Sequence, residues 1–174
     1  MKVFGLAGWS GSGKTTLLVG LVRVLTRRGL SVSTVKHAHH DFDIDQPGKD
    51  SYRHREAGAT EVVVASDRRW ALMHELAPAA EPRLEELIAR MDDVDLVLVE
   101  GYKWHPHDKI EVHRAALGRP LLWPDDPRIV AVASDDALSG SAPPLLPLSD
   151  PASVADFIVD HCRIKVVRRA VVRG

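Results

Sequence analysis

The chain has 174 residues and a formal net charge of −1, with 45% apolar and 27% charged residues. This is the composition of an ordinary globular protein, and the length corresponds to about one domain. The longest uninterrupted apolar run is Ile129–Ala133, five residues, far fewer than the roughly 20 that a transmembrane helix needs. A nearly neutral chain also lacks the global field that draws basic proteins to nucleic acid or to membrane surfaces. We therefore expect neither nucleic acid nor a membrane among its partners.

Cysteine use and the N-terminal segment indicate the compartment. Cys162 is the single cysteine, so no internal disulfide is possible and a reducing environment is expected. The apolar start runs directly into a glycine-rich segment without a small-residue cleavage site, so it does not resemble a signal peptide. Both observations predict a cytoplasmic protein.

Strand and helix patterns alternate in the first part of the chain. Residues 3–7 predict a buried strand that ends at a glycine-rich turn. The apolar stripe within residues 18–25 predicts an amphipathic helix that ends at Gly29. Residues 30–35 predict a second strand, and Asp50 marks the start of a short helix.

The alternation continues in the rest of the chain, where two strands joined by a tight turn predict an antiparallel hairpin. The predicted segments are a hairpin at 61–65 and 70–74, a helix that begins at Pro82, buried strands at 96–99 and 129–133, an edge strand at 109–113, and a final strand and helix at 145–148 and 151–162. Strands that alternate with helices imply a parallel sheet covered on both faces. The prediction is an α/β fold of three layers, with a mostly parallel sheet, helices on both faces and an antiparallel hairpin at one edge.

The segment between the first predicted strand and helix carries a phosphate-binding motif. Residues 8–15, Gly-Trp-Ser-Gly-Ser-Gly-Lys-Thr, fit the pattern G-x-x-x-x-G-K-[ST]. Glycines let successive backbone N–H groups turn toward phosphate oxygens, and the helix N-terminus adds the positive end of its dipole. We predict that Lys14 reaches the β- and γ-phosphates and that the Thr15 hydroxyl ligates magnesium. Residues 1–174 are thus expected to form a single P-loop nucleotide-binding domain.

An acid at the end of a neighbouring strand is the next candidate. The apolar run 96–99 ends in Glu100 and then Gly101, so the carboxylate is placed to hold magnesium through water or to position an attacking water. The alternative is a solvated acid at a strand end. Asp95, at the opposite end of the same strand, is predicted to be structural.

The segment 36–45, Lys-His-Ala-His-His-Asp-Phe-Asp-Ile-Asp, is dense in side chains that bind metals. One interpretation is a loop that senses magnesium and the γ-phosphate, with Asp43 or Asp45 close to the metal. A second is a nickel, zinc or copper site, and a third is a polar surface loop. The histidines of the second interpretation are His37, His39 and His40, whose spacing matches no tetrahedral zinc pattern.

Other polar groups receive more general interpretations. Lys49, Arg53 and Arg55 are candidate contacts for an anionic second ligand near the nucleotide, although the two arginines, two residues apart, do not share a helix face. His105 and His107 are interpreted as parts of a solvated loop, with metal ligation as the alternative. The basic run 163–173 is interpreted as an edge strand or tail, with a docking surface for an acidic partner as the alternative.

Four blocks of the chain resemble a known family. They are the phosphate loop GWSGSGKTTL, the block VKHAHHDFDIDQPGKDSYRHREAGA at residues 35–59, and the later DLVLVEGYK and KIEV. In this order they resemble the molybdopterin-guanine dinucleotide biosynthesis accessory proteins, the B proteins of that pathway. The most specific block is H-x-H-H-x-F-D-x-D-x-P-G-K-D-S, because the phosphate loop alone identifies only a superfamily.

The resemblance implies a small P-loop GTPase fold that binds GTP and Mg²⁺ and hydrolyses GTP weakly. It also implies a homodimer that serves as an adaptor beside a molybdopterin guanylyltransferase, with molybdopterin as a further candidate ligand. Carried over by position, Lys14, Glu100 and Asp45 take the catalytic roles. Thr15, Glu100 and Asp43 are the magnesium-side residues. The nucleotide-binding residues are Gly8, Trp9, Ser10, Gly11, Ser12, Gly13, Lys14, Thr15 and Thr16.

The chain departs from the wider superfamily in two ways. No N-K-x-D or T-K-x-D guanine-reading motif occurs, and the nearest candidate is Ala-Ser-Asp-Asp at 133–136, where Asp135 or Asp136 is placed to accept from guanine N1 and N2 hydrogens. Trp9 stands where a dimer-activated branch has a signature lysine, and the sequence identifies no arginine finger. Slow hydrolysis follows, because such an arginine contributes roughly 10³- to 10⁵-fold in rate.

Three other functions remain as alternatives, one of which is a pure binding module that never hydrolyses its nucleotide. A small-molecule P-loop kinase uses the same loop, but it needs a basic lid, and residues 52–55 make a poor one. A nickel or zinc metallochaperone GTPase would load its metal on the histidine-rich segment.

Overall fold

The computed structural model describes residues 1–38, 42–76, 81–138 and 143–165. The chain divides into two compact units: unit 1 is Met1–Ala38 with Asp93–Gly174, and unit 2 is His39–Asp92. Among the described helices, none combines the length and the apolar character of a membrane span.

Helices and strands follow the predicted order. They are β1 (Lys2–Ala7), α1 (Lys14–Arg27), β2 (Val32–Lys36), α2 (Asp50–Glu56), β3 (Glu61–Ala65), β4 (Trp70–His74), α3 (Leu84–Ile88), β5 (Leu96–Glu100), β6 (Lys109–Val112), a 3₁₀ turn (Ala115–Leu117), β7 (Ile129–Ala133), β8 (Leu145–Leu146) and α4 (Pro151–His161). The largest differences from the predicted bounds are that β2 begins two residues later, at Val32, that α3 begins at Leu84, two residues after Pro82, and that β8 ends two residues before residue 148.

Unit 1 contains a parallel sheet of six strands in the order β2-β5-β1-β6-β7-β8. The predicted mostly parallel sheet is therefore confirmed. The position of residues 109–113 differs from the prediction of an edge strand, because β6 lies in the interior between β1 and β7 and all four of its residues are buried. Its polar letters indicated an exposed edge, but their charges are compensated inside the protein.

The core of unit 1 lies between the sheet and two helices. One cluster joins Phe4 and Leu6 of β1 to apolar side chains of α1 and α4, which also contact each other. The helix residues in this cluster are Leu17, Leu21, Leu25, Val154, Ala155 and Ile158. Within unit 1, α1 and α4 thus pack on the same face of the sheet. A second cluster packs Leu122, from a loop, against Ala7 and Ile129.

Two buried charges on β6 hold the loop 119–126 (the anchored loop). Lys109, which is 0% exposed, donates from Nζ to Asp126 Oδ2 at 2.8 Å and to the carbonyl of His105 at 2.9 Å. The Glu111 carboxylate accepts from the backbone N–H groups of Leu122 and Trp123 at 2.9–3.0 Å. Burial raises the pKa of Glu111, and the N–H donors and the nearby His113 oppose that shift. The loop is therefore fixed by contacts that lie far apart in the sequence.

Unit 2 contains α2, α3 and the hairpin. Strands β3 and β4 pair antiparallel from Glu61 opposite His74 to Ala65 opposite Trp70, as predicted. The prediction placed the hairpin at an edge of the main sheet, but its two strands pair only with each other and form a separate sheet. Helix α2 contacts β3 within this unit.

His107 packs against the sheet instead of lying in a solvated loop. A Cβ added to Gly5 would lie 2.3 Å from His107 Nε2, so glycine on β1 makes room for the ring. The ring Nδ1 atoms of His105 and His107 are 3.0 Å apart. Burial, followed by the charge of Lys109, lowers the pKa of His107 to about 4.

The low pKa of His107 predicts a loss of stability in mild acid. An unfolded histidine has a pKa of about 6.5, so between that pH and about 4 the unfolded chain binds more protons than the folded one. The free energy of unfolding therefore decreases as the pH falls through this window. We expect a contribution of about 2 kcal/mol after allowing for partial exposure.

Urea unfolding between pH 7.5 and 4.5 measures this effect. His107→Gln should lose the corresponding part of the pH dependence, whereas His54→Gln, at an exposed position on α2, should keep it. A His107→Gln protein with the same pH dependence as the wild type would contradict the assignment.

Candidate phosphate-binding site

The loop 8–13 joins β1 to α1 and depends on glycine at both ends. Gly8 has φ of 142°, and a Cβ there would lie 2.4 Å from the carbonyl oxygen of Val112. Gly13 has φ of 103° and is the N-cap residue directly before Lys14. The first backbone N–H groups of a helix have no intrahelical partner. A helix that begins at the end of such a loop therefore presents donors to an anion.

Lys14 closes over its own loop. Its Nζ donates to the carbonyl oxygens of Gly8 at 3.0 Å and Trp9 at 2.8 Å. Burial lowers the pKa of Lys14, the Glu100 carboxylate opposes this shift, and the charges of Lys103 and Lys36 add to it. Two further lysine charges therefore act at the loop beside the Lys14 ammonium, and positive charge at a site favours the binding of an anion.

Thr15 and Glu100 meet at the same end of the sheet. The Thr15 Oγ1 hydroxyl donates to Glu100 Oε1 at 2.7 Å. Glu100 is the last residue of β5, pairs in register with Leu6 of β1, and is 7% exposed. The structure therefore brings these two predicted residues together. A hydroxyl and a carboxylate are oxygen ligands of the type that Mg²⁺ prefers, so the pair fits the predicted magnesium-side role.

Trp9 connects the phosphate loop to the anchored loop. Its indole Nε1 donates to the carbonyl oxygen of Pro120 at 2.8 Å, and its ring packs against the cluster that contains Leu122. Lys103 Nζ lies 4.2 Å and Arg119 Cζ 5.6 Å from the ring centroid, within the range of cation–π interactions. The large ring, which the motif alone does not explain, therefore has a structural role.

Several basic residues near the loop were not predicted from the sequence. Lys36 ends β2, Lys103 follows β5, and Arg114 follows β6 and donates from Nε to the carbonyl oxygen of Ser12 at 3.2 Å. Each lies at or just after the carboxyl end of a parallel strand, where α/β sheets bind their ligands. The positions of these residues at strand ends could therefore have identified them from the sequence.

The sequence model of the family described as MobB, molybdopterin guanine dinucleotide synthesis protein B, matches residues 3–135. This chain belongs to the MobB family. It is 45% identical over 163 residues to the molybdopterin-guanine dinucleotide biosynthesis adapter protein of Escherichia coli, covering 92% of this chain and 93% of that protein. The adapter protein of Haemophilus influenzae is 42% identical over 161 residues, covering 91% and 88%.

Solved MobB structures have the same fold. A MobB homologue from Bacillus stearothermophilus is 28% identical, with a TM-score of 0.69, and the match covers 95% of this chain and 100% of that one. A structure described as molybdopterin-guanine biosynthesis protein B is 27% identical, with a TM-score of 0.72, and the match covers 92% and 99%. The predicted P-loop fold is thereby confirmed.

The predicted guanine-reading residues of this MobB chain lie beyond β7. Asp135 accepts from the backbone N–H of Ser149 at 2.9 Å, and Asp136 accepts from that of Ala115 at 2.8 Å. The contact with Ser149 lowers the pKa of Asp135. Both carboxylates therefore hold neighbouring loops, and their role toward a base stays a prediction.

Asp43 and Asp45 belong to unit 2, where both face Arg55. Arg55 donates to Asp43 Oδ2 at 2.6 Å, and its Nε lies 3.5 Å from Asp45 Oδ2. Ser51 donates to Asp45 Oδ1 at 2.9 Å, and Arg55 also donates to Glu75 at 3.0 Å. The backbone N–H of Asp45, followed by Arg55, lowers the pKa of Asp43. Arg55, a candidate anion contact from the sequence, thus pairs with acids of its own unit.

The structure describes only some of the remaining predicted residues. Ser10 and Thr16 are exposed, and Ser12 is buried. His39 and His40 lie outside the described residues, so the predicted histidine site is not described as a whole. Among the side chains that the structure does describe, no group of three or more His, Cys, Asp or Glu is arranged to hold a metal ion.

Proposed function

We propose that this chain is a GTP-binding adapter in molybdopterin guanine dinucleotide biosynthesis, with at most slow hydrolysis of GTP. The observation that carries the proposal is that Lys14, Thr15 and Glu100 meet at one phosphate loop. The matched family and the names of the two bacterial relatives support the pathway. Slow hydrolysis is expected because the sequence identifies no arginine finger.

The roles follow from the contacts. Lys14 and the loop amides hold the β- and γ-phosphates, while Thr15 and Glu100 organise Mg²⁺, which when bound neutralises charge on the phosphates. Asp135 or Asp136 reads the guanine from the segment that follows β7, the strand two places from β1 in the sheet. The roles of Asp43 and Asp45 as switch acids rest on the family resemblance.

The partners complete the proposal. The chain acts in the cytoplasm as a homodimer beside a molybdopterin guanylyltransferase, and molybdopterin is a further candidate ligand. In this proposal residues 1–174 function as one nucleotide-binding domain. GTP binding regulates the contact with the transferase, in the way that switch segments ordered by the γ-phosphate regulate the partners of other GTPases.

Nucleotide titration tests the proposal. We expect GTP with Mg²⁺ to bind at least about tenfold more tightly than ATP, a difference of about 1.4 kcal/mol, as followed by tryptophan fluorescence and calorimetry. Lys14→Ala should weaken GTP binding about tenfold or more, because the lysine–phosphate contact is charge-assisted. Arg23→Ala, at an exposed position on α1, is the matched control. Equal or tighter binding of ATP would contradict the proposal and favour the small-molecule kinase.

A further inference from the structure

Two lysines lie on adjacent segments beside the phosphate loop. Lys36, the last residue of β2, pairs in register with Glu100 of β5. The next residues remain joined, because the His37 N–H donates to the Glu100 carbonyl at 2.9 Å. A Cβ on Gly101, which has φ of 94°, would lie 2.8 Å from that of His37. The fold therefore fixes the segments that carry Lys36 and Lys103 next to each other.

Among the described residues, no acidic side chain pairs with either of these lysines. Within the described ranges, neither Lys36 nor Lys103 forms an ion pair or a side-chain hydrogen bond, and the Lys103 ammonium lies over the Trp9 ring. Glu100, the carboxylate beside Lys14, already accepts from Thr15. Both lysines act electrostatically on Lys14, and Glu100 is the carboxylate whose charge opposes theirs there. Like charges repel each other, and a bound anion compensates that repulsion.

We propose that Lys36 and Lys103 bind one phosphate dianion beside the phosphate loop, with the Trp9 ring holding Lys103 in position. This inference rests on the proposed function in one respect, namely that the loop itself holds a nucleotide. The loop amides and Lys14 are sufficient for the phosphates in the loop, so the lysine pair is additional. The dianion is either the terminal phosphate of the bound triphosphate or a phosphate monoester group of a second ligand.

The experiment removes the charges and keeps the apolar stems. Lys36→Met, Lys103→Met and the double variant are compared with the wild type, with the exposed Arg23→Met as control and Lys103→Arg to restore the charge. Calorimetry measures three affinities: GTP, GDP, and inorganic phosphate added to protein saturated with GTP and Mg²⁺. Thermal unfolding verifies that each variant is folded.

Two results would support the inference and identify the source of the phosphate. If the pair holds the terminal phosphate, the double variant binds GTP about tenfold more weakly while GDP binding stays within about twofold. If the pair holds a second ligand, both nucleotides bind normally, and inorganic phosphate binds the GTP-saturated wild type but not the double variant. Lys103→Arg should restore most of the lost affinity in either case.

The inference is overturned if the double variant matches the wild type in all three affinities, or if GTP and GDP weaken equally. A failure of the proposed function has a different signature, since Lys14→Ala would then leave GTP binding unchanged. In that case inorganic phosphate is titrated into the nucleotide-free protein, where equal binding by the wild type and the double variant overturns the inference.

Discussion

Replacing Asp126 by asparagine is expected to lower the free energy of unfolding by about 3 kcal/mol. Lys109 is fully buried, and its ammonium is held by the Asp126 carboxylate at 2.8 Å and by one carbonyl oxygen. Asparagine retains an oxygen at the same place but removes the negative charge. The buried ammonium is then left without a counter-charge, which is the main cost of breaking such a pair.

The neighbouring residue provides a matched control. Asp125 is exposed, so Asp125→Asn should change the free energy of unfolding by less than about 0.5 kcal/mol. Adding Lys109→Met to Asp126→Asn removes the unpaired ammonium and should recover much of the loss, which a double-mutant cycle in urea measures. If the two asparagine variants are equally stable, the buried pair contributes nothing measurable.

The same buried charges explain where the fold was predictable and where it was not. The apolar letters of β5 and β7 were sufficient to indicate strands buried on both faces. In β6 the letters Lys and Glu indicated an edge, yet β6 is an interior strand. Its charges are compensated by Asp126 and by the N–H groups of Leu122 and Trp123. A local pattern cannot show such partners, because they lie 11 or more residues away.

The candidate site also contains some residues that the sequence predicts and others that it does not. The motif predicted Lys14 and Thr15, and the argument from strand ends added Glu100, which the structure places 2.7 Å from the Thr15 hydroxyl. Trp9 could not be explained from the sequence, since its hydrogen-bond partner Pro120 is 111 residues away. The sequence does not predict a role for Lys103 either, because that role depends on the position of its ammonium over the Trp9 ring. The loop motif and the acid at a strand end could therefore be predicted from the sequence, whereas the roles of Trp9 and Lys103, whose contacts join distant segments, could not.

Glu100→Gln is expected to raise the Mg²⁺ concentration needed for half-maximal GTP binding by about 10- to 100-fold. The Thr15 hydroxyl donates to Glu100 Oε1, and the side-chain oxygen of glutamine can still accept this hydrogen bond. The substitution therefore keeps the local structure and removes the negative charge that favours a cation. The measurement is a Mg²⁺ titration at fixed GTP, followed by tryptophan fluorescence.

Asp95→Asn, at the opposite end of the same strand, is the control. Asp95 precedes β5 and accepts from the backbone N–H and the hydroxyl of Ser31, both at 2.8 Å. Its substitution can lower stability, but it removes no charge from the site and should leave the Mg²⁺ midpoint unchanged. Glu100 can affect GTP binding through Mg²⁺ or through its hydrogen bond with Thr15. GTP affinity measured with a chelator separates these two effects, because it gives the affinity of the loop without the metal. If Glu100→Gln leaves the Mg²⁺ midpoint at the wild-type value, Glu100 is a hydrogen-bond acceptor that orients Thr15, and the metal depends on other oxygen ligands.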